Sequence, residues 1–244
     1  MSTFFYDTTQ DPSTIHVGGR VRSYDWQDFH LQILDYADSW GQKYVAPALA
    51  GDVDAAFSLY VALTSKKRGN MAVAFWRAGA PREVFRRMLG AVWDHDHHEL
   101  IAAAGTRRRL RALFHYAQFD TSNLPDVVQV WRGASGLTAE QVESGYAWSL
   151  DRDVACWFAM RRTGTYGTPV VLTAHIPRKS VVFYTDERNE KEVVIFDMVD
   201  SFIDGTPDDW ANRFIAHEEN KEHMGKIMMA AHAHDRLKAG GSAS

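Results

Sequence analysis

The sequence predicts an α+β fold: a helical N-terminal part, a stretch of short strands, and a closing C-terminal helix. Three observations carry this reading. Apolar residues recur at helical spacing up to Pro125, β-branched runs replace them beyond it, and Thr206-Pro207-Asp208-Asp209 signals a final helix.

Before Pro125 the helical spacing is seen in Phe29-Ile33-Leu34-Ala37, in residues 55–63, in Val84-Phe85-Met88-Leu89-Val92 and in Leu110-Leu113-Phe114-Ala117. Residues 24–119 are therefore expected to be mostly helical. Pro81 suits a first helical turn, and Gly69, Gly79 and Gly105 are expected as helix stops. After Pro125, strands are expected at 127–131, 169–176, 180–184 and 193–196, where valine, isoleucine and aromatic residues cluster. A helix from Asp151 to Arg162 interrupts them. At Thr206 a cap residue precedes proline and two acids, chemistry that favours a helix N-terminus. That helix should pass through Trp210 and Phe214 to Met224, Ile227 and Met228, and the tail from Ala239 has a disordered composition. The expected organisation is a helical region over 1–125, a strand-rich core over 126–205, and a helix with a flexible tail over 206–244.

At 244 residues, 45% hydrophobic and 24% charged, the chain is long enough to bury a sizeable core. The single cysteine, Cys156, lies among Val154, Ala155, Trp157 and Phe158, so an intrachain disulfide is excluded and a buried core thiol in a reducing compartment is expected. The N-terminus lacks the basic and apolar regions of a signal peptide, and no window resembles a membrane span. A cytoplasmic chain with no membrane partner is expected.

Charge is unevenly spread. Residues 1–62 carry three Lys/Arg against eight acids, 63–125 eleven against five, and 126–244 thirteen against eighteen. Within the basic middle, Lys66-Lys67-Arg68, Arg82 with Arg86 and Arg87, and Arg107-Arg108-Arg109 with Arg111 fall on helical segments. Such clusters suit either a phosphate backbone or solvated helix faces that pair with the acidic flanks.

The run Glu190-Lys191-Glu192-Val193-Val194-Ile195 places two carboxylates two residues apart at the mouth of a strand-like segment. Strand alternation would send both to one face, where two like charges are costly without a task or a cationic partner. An edge-strand charge pair is the plain alternative. Upstream stand Trp131-Arg132-Gly133, at a strand end, and Gly145-Tyr146-Ala147-Trp148-Ser149, which leads into an alanine-rich helix.

In this order and spacing, Arg132, Ser149 and Glu190-x-Glu192 resemble the Arg, Ser-x-Ser, Glu-x-Glu signature of the mono-ADP-ribosyltransferase family. The similarity is to the toxin-like branch used by bacterial toxins and phage effectors, and covers about residues 126–200. It implies an ADP-ribosyltransferase-like split antiparallel β-sandwich, with the helical N-terminal part packed on it and NAD bound as substrate. The motif is incomplete, because where the family pattern has two or three hydroxyls this chain keeps Ser149 alone.

The resemblance implies roles that the chemistry makes sensible. Cleaving nicotinamide from its ribose passes through an oxocarbenium-like state, which a fixed carboxylate stabilises. Glu192 is the implied catalytic carboxylate. Glu190 would face the acceptor and help deprotonate it, a task suited to a cationic guanidinium, and Ser149 would orient the catalytic carboxylate. Arg132 would grip phosphate or ribose oxygens, and Gly133 would let the backbone approach the nicotinamide amide. Tyr146, Phe158 and Tyr166 are candidates to stack on nicotinamide, Phe158 having a core role as its alternative. Arg161 and Arg162, followed by a flexible 163–168 loop, would close over the diphosphate or else simply end a helix.

Metal and hydrolase readings gain no comparable support. The cluster Asp94-His95-Asp96-His97-His98 and the C-terminal histidines match no HExxH spacing, there is no GxSxG, and no metal is expected. Three functions remain open: ADP-ribosylation of a protein arginine, the same transfer onto RNA or DNA docked by the basic 63–125 segment, and a catalytically silent binding protein on this fold. The implied partners are NAD and a macromolecular acceptor; no motif identifies an antitoxin or inhibitor.

Overall fold

The computed structural model describes residues 14–17, 20–23, 33 and 36–240. The fold is α+β, and the chain divides into two compact units: residues 1–123 with 182–188, and residues 124–181 with 189–244. Most of the helical spacing expected at 29–37 lies outside the described residues, as does the tail beyond 240.

The first unit begins with an antiparallel hairpin of β1 (Thr14–Val17) and β2 (Arg20–Ser23). Among the described residues the helices α1 (Val45–Leu49), α2 (Val53–Ala62), α3 (Ser65–Arg77), α4 (Arg82–Ala104) and α5 (Arg107–Ala117) follow. The starts of α2 and α5 use side-chain caps, since Asp52 accepts from the Asp54 and Ala55 amides and Thr106 from the Arg109 amide. Gly105, at φ +70°, ends α4 as expected.

Gly69 corrects an expectation, because it sits inside α3 rather than stopping it. A Cβ at Gly69 would lie 2.3 Å from the Glu99 carbonyl oxygen, so the glycine lets α3 and α4 cross backbone to backbone. The core between α4 and α5 holds Met88, Leu89, Leu110 and Leu113, all fully enclosed, with Trp93 edge-on to Phe114 at 5.1 Å.

In the second unit, β3 (Val127–Ser135) is followed by α6 (Ala139–Glu143), β4 (Ala147–Ser149), α7 (Arg152–Met160) and α8 (Thr163–Tyr166). Next come β5 (Pro169–Pro177), β6 (Val181–Thr185), which belongs to the first unit from Val182 on, then β7 (Glu192–Ile195), β8 (Phe202–Ile203) and α9 (Pro207–Gly240). Residues 163–166, expected as part of a flexible loop, form the single-turn α8. The Thr163 hydroxyl donates to the Met160 carbonyl at 3.1 Å and the Gly167 amide to Thr163 at 2.9 Å, which closes the turn locally.

The strands form one open, antiparallel, six-stranded sheet in the order β6-β7-β4-β3-β5-β8. β3 and β5 pair along nine residues, whereas β3 and β4 are joined by the single register pair Trp131↔Ser149. The sheet is therefore continuous in pairing but weakly stitched at its middle. Behind it, Ala155, Cys156 and Ala159 of α7 pack with Val171 and with Trp210 of α9. Burial pushes the Cys156 thiol up to about 12, which leaves it protonated and inert. Two α7–α9 ion pairs, Arg213–Asp153 at 2.6 Å and Arg152–Asp209 at 2.7 Å, flank Trp210. Among the described residues, no helix is long and apolar enough to cross a membrane.

Candidate functional site

Three adjacent strands meet at the sheet's weak seam. Trp131 on β3 pairs with Ser149 on β4, and Ser149 pairs in turn with Glu192 on β7. This register aligns Trp131, Ser149 and Glu192, which lie far apart in sequence, and Arg132 is the next residue along β3.

Arg132 follows Trp131 on β3. Its Nη1 donates to the Ala147 carbonyl, while its Nε is enclosed and has no hydrogen-bond partner among the described residues. Gly145 makes room for the guanidinium, since a Cβ there would fall 2.2 Å from its central carbon. Burial holds the Arg132 pKa below its ordinary value, and the Glu192 carboxylate opposes that shift. The two charged groups therefore sense one another. Glu192 is itself buried, at 7% exposure.

Ser149 acts through the main chain. Its hydroxyl donates to the Glu190 carbonyl at 2.6 Å and accepts the Asp151 amide at 2.9 Å. A hydroxyl has one proton to give, so Ser149 fixes the turn carrying both glutamates instead of bonding the Glu192 carboxylate. This differs from the orienting bond expected for it.

The turn is strained on both sides of Glu190. Asn189 and Lys191 have φ of 56° and 44°, and among the described residues Gln118 is the other non-glycine residue with positive φ. Left-handed backbone costs a lysine about 1–2 kcal/mol, so its surroundings must hold it there. They do so twice: the Lys191 carbonyl accepts the Leu150 amide at 2.9 Å, and its ammonium pairs with Asp151 at 3.1 Å. Burial would raise the Asp151 pKa, but Lys191 and the Asp153 and Val154 amides outweigh it and hold it below the carboxylate norm. Sequence reasoning missed Gly145, Asp151 and Lys191. Asp151, expected as the first residue of a helix, is its cap, with the Asp153 amide donating to it at 3.0 Å.

The remaining predicted residues are arranged more loosely. Gly133 is explained by packing, because a Cβ there would lie 1.8 Å from the Ala155 carbonyl oxygen of α7. Tyr146 continues the β4–β7 pairing through its carbonyl, which accepts the Ile195 amide at 2.9 Å, and its ring lies 5.3 Å from Phe196. Arg161 stacks its guanidinium 4.3 Å from the rings of both Trp157 and Phe158. Tyr166 is exposed, with Arg162 6.0 Å from its ring.

The basic island is largely engaged within the first unit. Arg68 pairs with the buried Asp96 at 2.8 Å. Arg82 and Arg86 donate to the last carbonyls of α5, at Tyr116 and Ala117, and Arg109 donates to Ala104 at the end of α4. These arginines satisfy orphan carbonyls at helix C-termini. Asp96, from the expected histidine cluster, sits at a kink in α4 with φ −136°, and among the described residues no group of three His, Cys, Asp or Glu could hold a metal ion.

Comparison with protein-family models, curated proteins and solved structures returns no match.

Proposed function

We propose that this chain is a mono-ADP-ribosyltransferase that moves ADP-ribose from NAD to a macromolecular acceptor, foremost a protein arginine. The observation that carries the reading is the register Trp131↔Ser149↔Glu192, which sets the Arg132 strand, Ser149 and the Glu190-x-Glu192 turn side by side. The single-pair seam between β3 and β4 also suits a split antiparallel sandwich, the fold this chemistry would use.

In this mechanism the C1′–N bond between ribose and nicotinamide breaks, and its electron pair leaves on the nicotinamide ring nitrogen. Glu192, buried and fixed, stabilises the positive charge that develops on the ribose. Arg132, partly buried beside the seam, is assigned to ribose or phosphate oxygen through the part of its guanidinium not engaged with Ala147. A guanidine nitrogen of the acceptor then attacks C1′, and Glu190 takes the proton released. Tyr146, Phe158 and Arg161 are assigned to the NAD side, while Gly133, closed off by the α7 backbone, keeps a packing role. No step calls for a metal.

Acceptor chemistry separates the readings. The engagement of Arg68, Arg82, Arg86 and Arg109 in intramolecular bonds favours a protein over a nucleic-acid acceptor. The test is incubation of purified protein and cell extract with labelled NAD, followed by protease or nuclease digestion. Label removed by protease and retained after nuclease is expected. Absence of transfer together with absence of nicotinamide release would rule out the enzyme reading and leave a binding protein.

A further inference from the structure

A cavity of about 890 Å³ opens on the first unit, and every residue lining it belongs to that unit. Its volume lies within the range of small-ligand sites. Arg132, Ser149 and Glu192 take no part in it.

Its walls are aromatic. Tyr60 comes from α2 and already carries the Arg68 guanidinium 4.3 Å from its ring, and Phe119, Phe183 and Tyr184 complete the lining, with the Phe119 and Phe183 centroids 4.2 Å apart. Its charge is biased: Glu83, Asp94, Asp186 and Glu187 face two cations, Arg86 and Arg87. Arg86 points its Nε at the Ala117 carbonyl at 2.8 Å. Arg87 lies with its guanidinium carbon 4.2 Å from the Phe57 ring centroid, so the cleft already seats one guanidinium on an aromatic face. Glu83, Asp186 and Glu187 are exposed at its rim.

Aromatic faces combined with excess carboxylate are the chemistry that recognises a guanidinium or ammonium: the rings attract the cation and the carboxylates take its hydrogen bonds. A phosphate or nucleotide would meet the same surplus of negative charge as repulsion. We propose that this cleft binds an arginine-bearing segment of a partner protein, with the guanidinium against the half-buried Phe119 and Tyr184 rings and the rim acids Asp186 and Glu187 as its counter-charges. The site goes beyond ADP-ribosyl transfer and stands whether or not that activity is found.

The test uses the full chain and three dye-labelled probes, a tetra-arginine peptide, a tetra-glutamate peptide and ADP, followed by fluorescence anisotropy. The arginine peptide is expected to bind, and the double variant Asp186→Asn with Glu187→Gln to weaken it at least about tenfold, a loss of about 1.4 kcal/mol. Both substituted residues are exposed, so circular dichroism should show an unchanged fold. Glu140→Gln with Glu219→Gln removes two exposed acids outside the cleft and should leave affinity unaltered. Absence of arginine-peptide binding, equal weakening by both double variants, or preference for ADP through Arg86 and Arg87 would each overturn the proposal.

Discussion

The Ser149 hydroxyl donates to the main-chain carbonyl of Glu190 at 2.6 Å, tying the second strand of the seam to the turn that carries both glutamates. Because the same oxygen accepts the Asp151 amide, one side chain joins the end of β4, the start of α7 and the turn before β7. Ser149→Ala breaks both bonds and leaves a carbonyl and an amide without this partner. A stability loss of about 1–3 kcal/mol is expected by denaturant unfolding, accompanied under the proposed mechanism by slower NAD cleavage. Unchanged stability would show that water replaces the hydroxyl at no cost.

Glu192→Gln keeps shape and removes charge. Under the proposed mechanism it should cut nicotinamide release about 10²–10³-fold, since it withdraws the fixed charge facing the oxocarbenium. Glu190→Gln should spare NAD hydrolysis and stop transfer to arginine. Equal loss of both activities in the Glu190 variant would contradict the division between the two carboxylates.

Lys191 offers a cleaner separation of strain from charge. At φ 44° any residue with a Cβ pays the left-handed cost, and glycine does not. Lys191→Ala and Lys191→Gly both lose the Asp151 ion pair, so the difference between them reports the backbone. Glycine should be more stable by about 1 kcal/mol, read as a higher thermal midpoint, although it loosens the turn. Equal midpoints would mean that the turn relaxes in the alanine variant.

Much of this architecture was legible in the sequence. The spacing of Val84, Phe85, Met88, Leu89 and Val92 gave α4, the valine runs gave β3, β5 and β7, and Thr206-Pro207 gave the start of α9. Short elements were less visible: β4 has three residues and β8 two, too few for a period to register. The Arg132, Ser149 and Glu192 letters could be read, but their shared register is a tertiary fact. Glycine was ambiguous in kind, since Gly105 stops a helix through its positive φ whereas Gly69 permits a helix crossing, and the letter is the same.

Gly69→Ala tests that crossing. In an isolated helix the change would help by about 1 kcal/mol. Here the new Cβ would lie 2.3 Å from the Glu99 carbonyl oxygen and 2.7 Å from the Leu100 nitrogen, both backbone atoms that cannot rotate away. Separating α3 from α4 should outweigh the propensity gain and destabilise the chain by about 1–3 kcal/mol. A raised unfolding midpoint would show that the helices do not cross so closely.

Acid sensitivity follows from Asp96 and Asp151. Burial would raise both carboxyls, but Arg68 and Ser65 hold Asp96 below the usual range, and Lys191 with the α7 amides does so for Asp151. A carboxyl depressed in the folded state contributes stability above its unfolded pKa, about 3.9, and loses it as pH falls through the lower folded value. Thermal midpoints should therefore hold steady above about pH 5 and drop below about pH 4. The two groups should contribute unequally. Asp96 is almost fully enclosed, and Asp96→Asn removes the charge facing Arg68 while leaving its bonds to the Tyr60 and Leu63 carbonyls and the Tyr60 hydroxyl, so it should cost about 1–3 kcal/mol near neutrality. Asp151 and Lys191 are partly solvated, and breaking their pair should cost at most about 1 kcal/mol. Both variants should approach the wild-type midpoint as the acid removes the same charges, Asp96→Asn over the larger span. A gap that stays constant from neutral to acid pH would mean that packing, and not ionisation, sets the contribution of Asp96.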